Sequence, residues 1–131
     1  MINPLLVNAS VLAYLGDSYY EQQIRSYLVN SGLTKLNILH KEAVKYTSGK
    51  SQALIIKNIL DNNLLSEEEI NVYKRGRNIS SSSKRNLDLQ ETHDSNGFES
   101  LIGYLSIKDE NRAKELINIA INYIQGENGK N

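Results

Sequence analysis

Residues 113–124 read AKELINIAINYI. Ala113, Leu116, Ile117, Ala120, Ile121 and Ile124 fall at the i, i+3, i+4, i+7 spacing of one buried helix face, and Gly126 predicts a stop just beyond. The same period recurs outward from this stretch. It places Phe98, Leu101, Ile102 and Leu105 on one face, and Ala53, Ile56, Ile59 and Leu60 on another within 52–60. Leu36, Leu39, Ala43 and Val44 mark a further helix ahead of Gly49, and a first helix runs from about Val11 to Val29, closed by Asn30-Ser31-Gly32. Ser66-Glu67-Glu68-Glu69 has the form of a capping box, with carboxylates at the positive end of a helix dipole. No segment alternates with period two for the length of a strand, so the fold class is all-α. The segment from Asn78 to Gln90, with four consecutive serines, has no apolar stripe and is expected to be a loop. The organisation expected is one domain over 1–125 and a polar tail over 126–131.

A chain of 131 residues suits a single core. With 40% hydrophobic and 23% charged residues it is not a disordered composition, and no run of eighteen apolar residues is present to span a bilayer. Met1-Ile2-Asn3-Pro4 lacks the basic and apolar regions of a secretory signal. The absence of cysteine excludes disulfides and thiolate metal sites and points to a reducing, cytoplasmic setting. Fifteen basic and fifteen acidic side chains cancel, but unevenly along the chain. Lys35, Lys41, Lys45, Lys50 and Lys57 face Glu42 alone over 31–60, and Lys74, Arg75, Arg77, Lys84 and Arg85 face no acid over 71–87. Two basic blocks of this kind can form one positive face, although helix charges are commonly just solvated.

Only two histidines occur, His40 and His93, and neither the G-x-G-x-x-G nor the Walker A pattern is present. That leaves the acids. Asp17 interrupts the interior of the first helix directly after Gly16, and Glu99 lies in GFESLIGYL, residues 97–105, with Gly103 one turn on. Aspartate and glycine both weaken a helix interior, glycine by about 1 kcal/mol against alanine. Glycines at these points let two backbones approach, which would bring Asp17 and Glu99 to a common point. Two carboxylates held together repel unless a divalent cation lies between them. An all-oxygen set favours Mg²⁺ or Mn²⁺ with retained waters, the arrangement that suits phosphodiester hydrolysis. Glu21, one turn after Asp17, shares its face as a weak or outer ligand. The alternative for both acids is an ordinary salt bridge, for example to Arg25 or a lysine.

Residues 12–28, LAYLGDSYYEQQIRSYL, resemble the signature helix of the ribonuclease III catalytic domain, and GFESLIGYL resembles its second acidic motif. HKEAVKYTSGKSQA (40–53) and YKRGRN (73–78), in a chain this short, are similar to the Mini-ribonuclease III branch, which lacks a separate domain for binding double-stranded RNA. The likeness runs from Asn8 to Ile124. It implies an all-α, dimeric endonuclease domain that hydrolyses both strands of duplex RNA with Mg²⁺ (Mn²⁺ can substitute), leaving 5′-phosphomonoesters. It also implies maturation of the ends of the large-subunit (23S) ribosomal RNA precursor in the cytoplasm, with a large-subunit ribosomal protein as a further candidate partner and no membrane. By resemblance, Asp17 and Glu99 are the catalytic metal ligands. Full-length ribonuclease III carries further acids where this chain has Ser10, Ala13 and Asn96, and the resemblance to the Mini branch implies that the thinner set is shared there. The thinner set implies weaker metal binding completed by RNA phosphate, with Glu21 and Asn96 in supporting positions. It equally allows a catalytically silent RNA- or ribosome-binding domain of the same fold.

With no appended binding domain, the grip on RNA is expected from Lys74, Arg75, Arg77, Lys84 and Arg85, extended by His40, Lys41 and Lys50. Lys74 and Arg75 would alternatively complement a helix C-terminus. Tyr14, Tyr19 and Tyr20 are candidates for a two-fold interface, or for the core.

Overall fold

The computed structural model describes residues 2–80 and 87–129, and among these residues there are six α-helices and no strand. A 3-10 turn, Pro4–Leu6, precedes α1 (Ala9–Asn30), α2 (Leu36–Thr47), α3 (Gly49–Asp61), α4 (Glu67–Arg77), α5 (Leu89–Lys108) and α6 (Glu110–Gly129). Each start has a local chemical cause. Asn8 caps α1 by accepting from the Ser10 amide at 2.8 Å, and Ser48 caps α3 through the Ser51 amide at 3.1 Å. The box at Ser66 and Glu69 closes as the sequence indicates, at 3.2 and 2.9 Å. The end of α1 needs glycine, because Gly32 lies at φ +103°.

The architecture is arranged around α5. Twelve of its twenty residues are buried, with α1, α3, α4 and α6 packed about it. The core combines Leu12, Tyr20 and Ile24 of α1 with Ile55, Ile56 and Ile59 of α3. Phe98, Leu101 and Ile102 of α5 pack with Ala113, Leu116 and Ala120 of α6 in the same cluster. The face expected on 113–124 is buried at all six positions.

Two boundaries differ from the sequence expectation. Residues 89 and 90 are not loop, because Asp88 and Glu91 form a second capping box at 2.7 and 3.2 Å that starts α5 nine residues ahead of its apolar stretch. Gly126 does not stop α6, which continues to Gly129. No atom lies within 4 Å of a Cβ placed there and its φ is not positive, so nothing forces the chain to turn. The expected tail is thus partly helical.

The backbones of α1 and α5 approach each other closely. A Cβ on Gly16 would sit 1.8 Å from the Glu99 carbonyl oxygen, and one on Gly103 would sit 1.9 Å from the Leu12 carbonyl oxygen. Backbone lies directly on backbone. Gly16→Ala or Gly103→Ala is therefore expected to cost about 4 kcal/mol or prevent folding, because no flexible side chain can yield. Gly126→Ala, facing open space, should be neutral or stabilising by up to ~1 kcal/mol. Urea unfolding of the three variants checks this ranking.

A charged clamp closes the other side. Arg112 donates from Nε to Glu69 Oε2 at 2.9 Å and from one terminal nitrogen to Glu69 Oε1 at 3.0 Å and the Leu64 carbonyl at 2.6 Å. It ties α6 to the start of α4. Burial works against the Glu69 carboxylate, but the bonds from Arg112 and Ser66 outweigh it and hold its pKa below its ordinary 4.5. A carboxylate depressed in this way contributes stability that is complete above its unfolded pKa and is lost as pH falls through the lower native value. Glu69→Gln is expected to lower the neutral-pH Tm and to flatten the acid limb of Tm against pH. An acid limb identical to wild type would remove Glu69 from the account.

Candidate active site

The two acids flank the glycine crossing. Gly16 lies against the Glu99 carbonyl, and Asp17 is the next residue on α1, so the two residues adjoin the same backbone contact. Asp17 is exposed and has no hydrogen bond or ion pair among the described residues. Glu99 is 8% exposed, and Asn96, one turn before it, is 7% exposed. The alternative of an Asp17–Arg25 salt bridge is not what the structure contains. Arg25 pairs with Glu21 instead, at 3.1 Å.

Neighbouring contacts fix this geometry. Tyr20 donates to the Tyr46 carbonyl at 2.8 Å and meets the Phe98 ring edge-to-face, with centroids 5.1 Å apart. One turn before Glu99, Ser95 donates to Gln52 Oε1 at 2.6 Å, and Gln52 is 2% exposed. Ser100, adjacent to Glu99, donates to the Ala9 carbonyl at 2.9 Å. These bonds fix the rotation of α5 against α3 and α1, and hence the direction in which Glu99 leaves the helix.

Glu21 is turned to a different task. One oxygen accepts from Arg25, and the other is enclosed without a hydrogen bond, beside a groove of about 300 Å³ between α1 and α2 lined by Leu28, Leu36, Leu39 and Val44. Among the described residues no group of three or more His, Asp or Glu could hold a metal ion. The oxygen-bearing side chains nearest the crossing in sequence are the carboxylates of Asp17 and Glu99 and the amide of Asn96. That composition fits a hydrated Mg²⁺, which takes one or two protein carboxylates and keeps waters.

The basic candidates separate into engaged and exposed groups. Arg75 donates to the carbonyls of Leu5 at 3.3 Å and Val7 at 2.9 Å, holding the N-terminal segment against α4. Arg77 pairs with Asp94 at 2.8 Å. Lys74 on α4, Lys41 on α2 and Lys50 on α3 are exposed, with no ion pair among the described residues. His40 is exposed at the rim of the α1–α2 groove. Lys84 and Arg85 lie outside the described residues. Of the tyrosines, Tyr20 belongs to the core, Tyr19 is half-buried and donates to Glu110 at 2.9 Å, and Tyr14 is 82% exposed. No described helix is long and apolar enough to cross a membrane.

Sequence reasoning missed Asp94 and Gln52, which organise Arg77 and the Glu99 helix. Asp88-x-x-Glu91 repeats the spacing of the Ser66 box and was the available signal that α5 begins early enough to include Asp94.

Residues 10–110 match the Ribonuclease III domain family. The chain is 50% identical over 125 residues to Mini-ribonuclease 3 of Acholeplasma laidlawii, covering 94% of this chain and 100% of that protein. It is 41% identical to Mini-ribonuclease 3 of Streptococcus pneumoniae, covering 96% and 100%. An X-ray crystal structure of a Fusobacterium nucleatum protein superposes with a TM-score of 0.80 at 32% identity, covering 93% of this chain and 95% of that one. Matching in sequence, length and shape, the chain belongs to the ribonuclease III domain family, in its Mini-ribonuclease 3 branch.

Proposed function

We propose that this protein is an endoribonuclease that hydrolyses double-stranded regions of RNA with a divalent metal, leaving 5′-phosphomonoesters. The substrate in this reading is the large-subunit (23S) ribosomal RNA precursor in the cytoplasm. The observation that carries it is an exposed, unpaired Asp17 beside a nearly buried Glu99, at a backbone crossing that only glycine permits. Asp17 and Glu99 are the catalytic metal ligands, and Asn96 supports them with a neutral oxygen or amide. Glu21, committed to Arg25 on one side, acts from farther out. When bound, Mg²⁺ (or Mn²⁺) supplies water activation and stabilises the leaving oxygen. The protein contributes position. Ser95–Gln52 and Tyr20–Tyr46 hold the two helices, from which Asp17 and Glu99 would hold the metal ion beside the scissile phosphate.

RNA is held through phosphates and 2′-hydroxyls, as an A-form duplex requires. Lys74 and Arg77 contact phosphates from α4, Lys84 and Arg85 from the segment after it, and His40, Lys41 and Lys50 extend the face. Arg75 acts at one remove, since its guanidinium is occupied by the N-terminal carbonyls. If about five phosphates are neutralised, the log–log salt dependence of affinity has a slope of roughly −4 to −5, borrowing the duplex DNA coefficient. A ribosomal protein that presents the RNA is a compatible partner.

Cleavage of both strands needs two acidic centres, and a homodimer supplies them in matching orientation. Val11, Tyr14 and Leu15 fall at i, i+3, i+4 on α1 and are all exposed, forming an apolar face beside Asp17 suited to a second copy. Tyr14→Glu is expected to shift the protein to monomer in sedimentation and to abolish duplex cleavage. A wild-type monomer that cuts both strands would remove the dimer from the account.

The neutral residues Ala13 and Asn96, where full-length ribonuclease III carries acids, favour one competing reading, a silent RNA- or ribosome-binding domain. End-mapped cleavage of precursor RNA decides between them. Asp17→Asn and Glu99→Gln are each expected to reduce the cleavage rate by at least about 100-fold while RNA affinity stays within a few-fold. Wild type that binds duplex RNA but leaves it intact in Mg²⁺ and in Mn²⁺ would establish the silent binder.

A further inference from the structure

Tyr73 and Arg77, one turn apart on α4, converge on a single oxygen of α5. Asp94 Oδ1 accepts from the Tyr73 hydroxyl at 2.9 Å and from Arg77 Nε at 2.8 Å. Gly97 makes this possible. A Cβ there would lie 2.6 Å from two carbons of the Tyr73 ring and 2.9 Å from Arg77 Cγ, so both side chains rest directly on the α5 backbone. The Asp94 side chain is 18% exposed and that of Arg77 is 35% exposed. Burial and the bond to Asp94 push the Tyr73 phenol well above its ordinary pKa, so it remains a donor at any physiological pH.

The way Arg77 is held has a consequence. A guanidinium offers five N–H donors in a rigid planar fork, matched to carboxylates and phosphates when two nitrogens engage together. Here the carboxylate takes the Nε side. The two terminal nitrogens, with four N–H groups, have no hydrogen bond among the described residues. The side chain is thus fixed at its root and unsatisfied at its tip. The carboxylate that fixes it is on α5, the same helix that carries Glu99.

We propose that Asp94, assisted by Tyr73, is a positioning residue for RNA: it holds the Arg77 guanidinium as a preformed fork for the non-bridging oxygens of one backbone phosphate, at a set offset along α5 from Glu99. The inference rests on the duplex-RNA reading above and deepens it. Immobilising a long side chain before binding removes part of the ordering cost that a free surface arginine would incur on contact. It also explains an acid next to a surface for a polyanion, where a carboxylate by itself opposes binding.

That opposition gives the test its sign. A bystander carboxylate near the RNA path repels it, so Asp94→Ala would tighten binding. A positioning carboxylate predicts weaker binding. The measurement is affinity for a short RNA duplex in EDTA by fluorescence anisotropy across a salt series, with Tm recorded for each variant and KM and kcat in Mg²⁺. Asp94→Ala is expected to weaken binding by about 3- to 10-fold, with KM raised and kcat nearly unchanged. Arg77→Ala should lower the magnitude of the salt slope by about 1. Adding Asp94→Ala to Arg77→Ala should change affinity no further, because the positioned group is gone. Arg77→Lys should not rescue, since a lysine has no Nε to be held side-on while a fork stays open. Tyr73→Phe removes the second tether without altering charge and should weaken binding about 2-fold, which keeps the test decisive if Asp94→Ala lowers Tm severely. Asp94→Ala or Tyr73→Phe binding as tightly as wild type or more so, or Asp94→Ala acting fully in the Arg77→Ala background, overturns the proposal. Wild type that fails to bind the duplex overturns it together with the ribonuclease reading. Wild type that binds and cuts while Asp94→Ala is unimpaired overturns the positioning role alone.

Discussion

The contact between the backbones of α1 and α5 is the constraint from which the rest of this structure follows. Gly16 lies on the Glu99 carbonyl and Gly103 on the Leu12 carbonyl, with no space for even one carbon between them. Glycine weakens a helix interior by about 1 kcal/mol at each position, yet this close approach sets the backbones of α1 and α5 together at Gly16, next to the exposed Asp17, and at the nearly buried Glu99, the two acids being 82 positions apart in the chain. It also sets the depth at which Tyr20 meets Phe98 and Ser100 reaches the Ala9 carbonyl. The acidic pair and the core are thus positioned by the same interaction, and a change that opens the crossing would disturb both.

Legibility of the sequence tracked how one-sided each helix is. The apolar face of α6 and the capping box of α4 could be read directly, because one side of each helix meets the core and the other meets water. The extent of α5 could not. A helix enclosed on all sides has no polar stripe to set against an apolar one, and its first half is built from Thr92, Ser95 and Asn96, all buried. Hydrogen bonds such as Ser95 to Gln52 meet the polar demand in the interior, and that pairing of residues 43 positions apart leaves no local mark. The end of α6 was misjudged for the opposite reason, since a helix-breaking residue in open space breaks nothing unless the chain has somewhere else to go.

The site shows the same division. Asp17 and Glu99 stand out in the sequence because each acid accompanies a glycine in an otherwise ordinary helix. The cations do not stand out, because a run such as Lys74, Arg75 and Arg77 says nothing of what each is bonded to. In the fold the three have different situations. Lys74 is exposed, Arg75 fastens the N-terminal segment through two carbonyls, and Arg77 is clamped by Asp94. Counting basic residues would treat them as three equal contributions to binding, whereas the hydrogen bonds give each a separate energetic role.

This difference bears on how the proposed contacts of this domain with duplex RNA would be made. Long flexible cations supply attraction that is strong at low salt and fades with screening. Precision needs groups whose position is fixed before the ligand arrives, and rigid positions in this fold come from α5, the helix held on every side. Glu99 is part of it directly, Asp17 is fixed against it through Gly16, and Arg77 is fixed against it through Asp94 and Gly97. Mobile lysines around a rigid axis would therefore set affinity, while the groups referenced to that axis would set where along the duplex the backbone is presented to the acids.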